Sequence, residues 1–530
     1  MSLRNRVVLP SLLLTLAVLA GCSSSSKGLP PPTGGFGPGN LKGTYVFSTQ
    51  GEDANSNPIA MAGTFQADGN LGIKGGTIDI IDAGFTSSYA GQAISGGGYT
   101  IGADGRGTVT LSPSTATPFG TQIRLDFVLA NSTQGLVTEF DPNGTGSGTL
   151  DLQSSATLSG SYAFNLSGAD LLTGTPLATV GSFTVGGDGM SITGVQNFNN
   201  GNAFSSYSLT GSVTTGSGGA PGSATLATAG AFGSVGLDVY PIDSTHLKFI
   251  GSSGSAFLSG DAFTQTGASV PTSATTLAFT MAGGSGSAPL ALGGLMALDG
   301  AGNITSNSEV DINESLNVVT GQLFSGTYAA GTGSPIPATG MGTVFTVSGF
   351  SVAVQFVGYP TANAGVQLLE SDGVGFLDGA AVAQASGAAI SSSQGYAMNL
   401  SAASANTGGE EDDIAEFSTT STNFTGRLDI NDQGALSSAQ EYAGTYTVDS
   451  PATGRGELTS NAYNSGVFYA VDSSTLLFLD AGDGLLVGTG TMLEQNAGSQ
   501  SAAAAKRLIV PHRLLLPRAG KQAKPAFQHK

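Results

Sequence analysis

Leu41-Lys-Gly-Thr-Tyr-Val-Phe47 returns as Leu158-Ser-Gly-Ser-Tyr-Ala-Phe164, and in weaker form as Leu277-Ala-Phe279-Thr-Met281 and Gly395-Tyr-Ala-Met398. The recurrence marks a repeat of roughly 115 residues, and a repeat constrains the fold before any single element does. About 20 residues further on, each unit carries a second signature: GTFQADGNLGIKGGTIDI from Gly63, GSFTVGGDGMSITGVQNF from Gly181, GGLMALDGAGNITSNSEVDIN from Gly293 and AEFSTTSTNFTGRLDIN from Ala415. A third segment follows, GADGRGTVTL in the first unit and SPATGRGEL in the last, and each unit closes on a pair of apolar runs.

Inside a unit the apolar residues alternate with period two, as in Ile123, Leu125, Phe127 and Leu129, or Val467, Tyr469 and Val471. That is the pattern of half-buried strands. Between the runs stand Asp68-Gly69, Asp104-Gly105, Asp188-Gly189, Asp299-Gly300, Asp372-Gly373 and Asp483-Gly484. Gly accepts positive φ without steric cost, so Asp-Gly suits the tight turns of antiparallel hairpins. The expectation is an all-β chain of about four tandem antiparallel meander units, each a small eight-stranded barrel or a sandwich. The aromatic residues that open the units, Tyr45, Tyr162 and Phe279, read as core plugs.

The expected divisions are a signal peptide over 1–21, a lipidated cysteine and flexible tether over 22–40, and β repeats over 41–157, 158–272, 273–390 and 391–496. A basic tail follows over 497–530. The leader has Arg4 and Arg6, an apolar stretch from Val7 to Leu19, and small residues after it, the three-part layout of a secretory signal. The stretch is shorter than the roughly 20 residues needed to cross a bilayer core. Leu19-Ala20-Gly21-Cys22 resembles the lipobox of bacterial lipoproteins. The resemblance is confined to residues 1–22 and implies acylation of Cys22, with a membrane partner held through more than one chain. Ser23 stands where inner-membrane retention would place Asp, so the resemblance implies the outer membrane or cell surface. Cys22 is the only cysteine, which removes intramolecular disulfides and any other thiol nucleophile.

Composition narrows the chemistry. Between residues 23 and 500 lie all 36 acidic residues and 8 of the 17 basic ones, a net charge of −28. Such a body repels phosphate backbones, so nucleic acid is not an expected partner. Only 10% of residues are charged, which leaves Ser, Thr, Asn and Gly to build the surface. The expected reading is a body little affected by acidification.

Catalytic residues are expected to be absent. His246 is the single histidine of the body, and its neighbours place it at a strand start, as a surface or turn residue. Ser-His chemistry needs a base beside the nucleophile, and zinc needs clustered His and Cys. Calcium requires only oxygen ligands. Asp141, Asn143 and Thr145 alternate such ligands, and Glu410 to Asp413 is a dense acidic run, although the first also reads as a hairpin turn and the second as a solvated loop. No other cofactor is expected. The absence of Trp removes the commonest sugar-stacking platform, while a carboxylate pair for glycoside hydrolysis stays open. The tail from Ala502 has seven Lys and Arg and no acid, with Pro511 and Pro517 interrupting its apolar runs.

The function expected from these features is that of a lipid-anchored, envelope-displayed structural, adhesive or spacer protein, with a cell-envelope polymer or surface ligand as partner. The alternatives are a lipoprotein holding a small apolar or glycan ligand in its β units, and an envelope hydrolase with a carboxylate pair.

Overall fold

Period-two alternation becomes strand along the whole body. The computed structural model describes residues 35–498 apart from 85–88, 202, 217–219, 231–232, 254–255, 266–270, 286–287, 316, 332–342, 349–353, 364, 374, 405–408, 450–451 and 483–484. Cys22, the tether up to residue 34, the basic tail and Asp483-Gly484 lie outside the described residues. Those described form 32 strands, one 3-10 turn over Pro38–Asn40 and no α-helix.

The strands close into four antiparallel barrels of eight, one per repeat. They run from β1 (Lys42–Asp53) to β8 (Gly144–Leu152), β9 (Gly160–Asp170) to β16 (Ala256–Thr264), β17 (Thr275–Ser285) to β24 (Phe376–Ala383) and β25 (Gly395–Ser404) to β32 (Leu486–Glu494). Each is an up-and-down meander whose first strand also pairs with its eighth. Tyr45 thus has Phe65 opposite it on one side and Leu152 on the other. That last pairing is what a sandwich would lack, and it removes the free edges that a Val- and Thr-rich sheet would otherwise expose. The turns follow the sequence signal: Gly69, Gly105, Gly189, Gly300 and Gly373 all take positive φ, between 70° and 82°.

Side chains fill the barrels. In barrels 1, 2 and 4 the opening tyrosine stacks on a phenylalanine of the second strand, Tyr45 on Phe65, Tyr162 on Phe183 and Tyr396 on Phe417, with ring centroids 5.9, 5.3 and 5.6 Å apart. A buried phenol needs a partner for its hydroxyl. All three donate to the carbonyl of a serine in the turn between strands six and seven: Ser132, Ser244 and Ser473. In barrel 3 the corresponding pair is Leu277 and Met296. Without the two rings that barrel keeps an apolar cavity of about 20 Å³, lined by residues that include Phe279, Met281, Met296, Phe324 and Phe356.

One position of the closing strand pair is glycine in all four barrels. Gly148, Gly260, Gly379 and Gly490 occupy equivalent inward sites on the eighth strands. A Cβ at these sites would lie 1.7, 2.1, 2.2 and 2.0 Å from the carbonyl oxygens of Ser48, Asn165, Thr280 and Asn399 on the first strands. The closing pair of strands approaches too closely for any side chain there.

The barrels themselves close into a ring. Val46, Ala60 and Ala62 of barrel 1 pack against Tyr240, Ile242, Ile250 and Phe257 of barrel 2. Ala178, Val180 and Val195 of barrel 2 meet Val357, Tyr359, Leu369 and Phe376 of barrel 3. Ala278, Ala291 and Leu295 of barrel 3 meet barrel 4, whose Ala397 and Ile414 share the same cluster with Val128, Ala130 and Leu136 of barrel 1. Each seam sets strands from the first three of one barrel against strands from the last three of the next. Repeating one head-to-tail contact generates a ring when the rotation closes, and the fourth seam, from barrel 4 back to barrel 1, shows that it does.

Candidate functional site: the seams between barrels

The polar residues that the repeats share gather at the four seams. The first device is an asparagine at the end of the third strand. Asn199 on β11 (Ser191–Asn199) donates its amide to the carbonyls of Glu370 and Gly375 at 2.9 and 3.0 Å. Asn313 on β19 (Asn303–Glu314) does so to Asp480 and Leu486, both at 2.8 Å. Asn431 on β27 (Asn423–Asp432) does so to Glu139 and Gly144, again at 2.8 Å. Each amide bridges the hairpin between strands seven and eight of the next barrel. In barrel 1 the equivalent residue on β3 (Gly72–Asp82) is Ile81, which packs into the seam instead.

Two residues earlier on the same strands stand Asp79, Asn197, Asp311 and Asp429. The Tyr240 hydroxyl donates to Asp79 at 2.6 Å and that of Tyr469 to Asp311 at 2.5 Å, and Tyr359 donates to Asn197 in the same way. In the fourth seam the tyrosine position is Val128, and Arg106 reaches Asp429 instead. Arg455 is its counterpart at Asp311, with Nε at 2.9 Å and Nη2 at 2.8 Å. Both arginines sit in a Gly-Arg-Gly at the start of a fifth strand, β5 (Arg106–Pro113) and β29 (Arg455–Ser460). Among the described residues no arginine faces Asp79. Its neighbour is Asp238, whose carboxyl is pushed up to about 6 by burial and by the adjacent Asp79; burial raises Asp79 as well.

The third device is a glutamine that ends every unit: Gln153, Gln265, Gln384 and Gln495. Its backbone N–H donates to the first strand of its own barrel, at Thr44, Ser161, Thr276 and Gly395. The side chains of Gln153, Gln384 and Gln495 cross to carbonyls of the next barrel at Pro241, Ala470 and Leu129. Gln495 is the last of the four, and the next barrel it reaches is barrel 1. Its neighbour Asn496 donates its backbone N–H to Ala130.

The calcium candidates divide between the two sides of a barrel wall. Asp141 accepts the Asn143 backbone N–H at 2.8 Å in the turn that ends β7 (Gln134–Asp141). Thr145 is in the fourth seam, where its hydroxyl donates to Asp412 at 2.8 Å and to the Asn431 carbonyl at 3.2 Å. Among the described residues no group of three or more His, Cys, Asp or Glu is placed to hold a metal ion. The acidic run is not a solvated loop: Glu410 to Asp413 begin β26 (Glu410–Thr419), with Glu410, Asp412 and Asp413 buried. Donors make this tolerable. Glu410 accepts from Ser401, Asp412 from Thr145 and Asp413 from Tyr463 at 2.6 Å, while burial raises the Asp413 carboxyl well above its ordinary value.

His246 does begin a strand, β15 (His246–Ser253), but it is only 3% exposed and so is not a surface residue. Its Nε2 lies 2.7 Å from Asp261, which also accepts from Lys248 at 3.0 Å, and its ring stacks on Phe263 with centroids 4.1 Å apart. Phe263 in turn packs against Ala380 of barrel 3, so ring assembly is what encloses the cluster.

In the sequence the Asp-Ile-Asn and Gly-Arg-Gly segments mark the repeat, but neither they nor the unit-ending glutamines show there what they hold together. A polar residue kept at one register position in several units was the available signal. Fold and seams together define a class, a cyclic array of four filled up-and-down β-barrels. No protein-family model matches the chain, and no curated protein matches it.

Proposed function

We propose that this chain is a lipid-anchored protein of the bacterial cell envelope with a structural, adhesive or spacer role, held to the membrane through Cys22. The observation that carries the reading is the filled, closed ring. Barrel interiors are occupied by aromatic and aliphatic side chains, and two faces of every barrel are spent on its neighbours. Polar groups converge on the joints between units, where they fix geometry, and not on an open cleft. A rigid body built in this way suits display or spacing. Carboxylates that burial raises well above the ordinary range, such as Glu139 and Asp413, are enclosed by barrel walls and seams.

A second reading, a small apolar ligand held inside a barrel, has little room: the apolar cavity of barrel 3 measures about 20 Å³, the space of one or two water molecules. The display reading is tested on intact cells. A protease-accessibility assay compares wild type with Cys22→Ala, read by an antibody to the repeats. Display predicts a cell-bound, digestible wild type and a released mutant. A protected wild type that stays anchored would place the body on the inner side of the envelope and exclude adhesion.

A further inference from the structure

Barrel 2 departs from the other three one step from its closing glycine. Gly148, Gly260, Gly379 and Gly490 stand opposite Val137, Phe249, Leu368 and Phe478 on the seventh strands. The next cross-strand pair, on the outer face of the wall, is Leu136 with Thr149 in barrel 1, Gln367 with Ala380 in barrel 3 and Leu477 with Thr491 in barrel 4. In barrel 2 it is Lys248 with Asp261. Two residues before Lys248, where the other barrels have Gln134, Gly365 and Thr475, stands His246. Positions that are neutral in three units thus hold an amine, a carboxylate and an imidazole in the remaining one.

All three groups are shut off from water. The side chains of His246, Lys248 and Asp261 are 3, 2 and 7% exposed. The Lys248 Nζ lies 3.0 Å from Asp261 Oδ1, and the His246 Nε2 lies 2.7 Å from the same oxygen. Phe263 covers the imidazole, whose Nδ1 has no hydrogen-bond partner among the described residues. From this arrangement we infer a modification site: Lys248 and Asp261 condense to an isopeptide bond that ties β15 to β16 covalently, with His246 as the catalytic residue. The inference does not depend on the lipoprotein reading.

The step needs no co-reactant. Nζ bonds to the Asp261 Cγ, one covalent bond away from the oxygen it already touches. The Cγ–Oδ1 bond breaks, Nζ gives up two of its three protons, and both go to Oδ1, which leaves as water. The first proton passes directly between the two atoms in contact and turns the ion pair into a neutral amine and a neutral acid. His246 Nε2, on the same oxygen, relays the second as the carbon–nitrogen bond forms, which is general acid–base work suited to an imidazole. Two physical effects favour the product. Burial penalises both charges, and a neutral amide removes them together. Strand register holds the reacting groups face to face, and well-oriented neighbours react as if at an effective concentration on the order of 10⁵–10⁸ M.

The test is mass spectrometry on the mature full-length chain, made with Cys22→Ala so that no acyl group is present. The expected mass is lower than that of the sequence by one water, with the peptides that contain Lys248 and Asp261 recovered joined. Location matters, because an Asp-Gly pair such as Asp68-Gly69 also loses water when it closes to a succinimide. After unfolding, an amine reagent should label every lysine except Lys248. Lys248→Met and Asp261→Ala are expected to retain the water. In newly synthesised chains sampled over time, His246→Gln should cross-link at least about tenfold more slowly. A chain of full mass whose Lys248 is labelled would overturn the inference and leave the three groups as a buried ion pair beside a histidine. Cross-linking at an unchanged rate in His246→Gln would overturn the part assigned to the imidazole. The chain with native residues at all three positions decides the main question by itself, so a variant that fails to fold does not obscure it.

Discussion

The Arg455 guanidinium lies bidentate on the Asp311 carboxylate across the seam between barrels 3 and 4, at 2.9 and 2.8 Å, with both side chains buried. The Tyr469 hydroxyl shares the same carboxylate. Breaking a buried pair from one side costs about 3–5 kcal/mol, because the remaining charge loses its counterion. Arg455→Met is expected to lower unfolding stability by that order, as measured by denaturant titration. The seam between barrels 2 and 3 suggests the rescue, since Asn197 takes the position of Asp311 there and still accepts from a tyrosine. Asp311→Asn in the Arg455→Met background should recover much of the loss. No recovery would mean that Asp311 is not the partner that matters, and that packing or the other carboxylates around the arginine, Glu309, Asp449 and Glu457, carry its effect.

At the closing strands, Gly490→Val puts a branched side chain where even a Cβ would lie 2.0 Å from the Asn399 carbonyl. Overpacking of this kind costs about 1–3 kcal/mol where neighbours can shift, and more against backbone. The expected loss is at least about 3 kcal/mol, with increased protease sensitivity in barrel 4. A variant as stable as wild type would show that the eighth strand can move away from the first without losing closure.

Asn431→Ala leaves the carbonyls of Glu139 and Gly144 without their donor in a buried seam, and also frees the Gly434 N–H. An unsatisfied buried group costs about 1–3 kcal/mol. The expected drop in denaturant midpoint is of that size. Asn431→Asp, of the same shape but without the donor, should be at least as harmful. If it were neutral, the amide would not be the element holding barrel 4 to barrel 1.

These residues also show how far the sequence could be read. Strand content, the eight-strand unit and the Asp-Gly turns were legible because they depend on local rules, alternation and positive φ. The core plugs Tyr45 and Tyr162 were legible for the same reason. The ring was not, because a seam is a relation between units: nothing in Gln495 itself says that its amide reaches Leu129. The burial of the acidic run was not legible, because a run of charge does not show where its donors stand. Tyr463, 50 residues after Asp413, and Thr145, in another barrel, are the donors that Asp413 and Asp412 meet only in the fold. Turns account for the Asp-Gly glycines, whereas Gly148 and its three equivalents answer to the close approach of two strands that only closure brings together.

The buried carboxylates set the direction of the pH response. Burial pushes Glu370 up to about 8, and Asp82, Asp378, Glu411 and Glu416 up to about 7. It pushes Asp141 and Asp238 up to about 6. In the unfolded chain these groups return to the ordinary range near 4. Between about pH 4 and 8 the folded state therefore binds more protons than the unfolded state, and stability falls as pH rises through that window. Their contribution is complete below about 4 and is lost as pH passes each raised value. Asp68, Asp188 and Asp299 act oppositely, since backbone N–H groups or, for Asp299, first the Asn303 amide, hold them below their ordinary value; they lose their contribution only in stronger acid. The denaturant midpoint is thus expected to be higher at pH 5 than at pH 8, more than the simple insensitivity that a charge-poor surface would suggest. The seam between barrels 1 and 2 should contribute visibly, because Asp79 and Asp238 face each other without an arginine. Asp238→Asn should therefore flatten the dependence, most clearly around pH 6. A midpoint that rises from pH 5 to 8 would mean that these carboxylates are solvated or paired in solution in ways that cancel their burial.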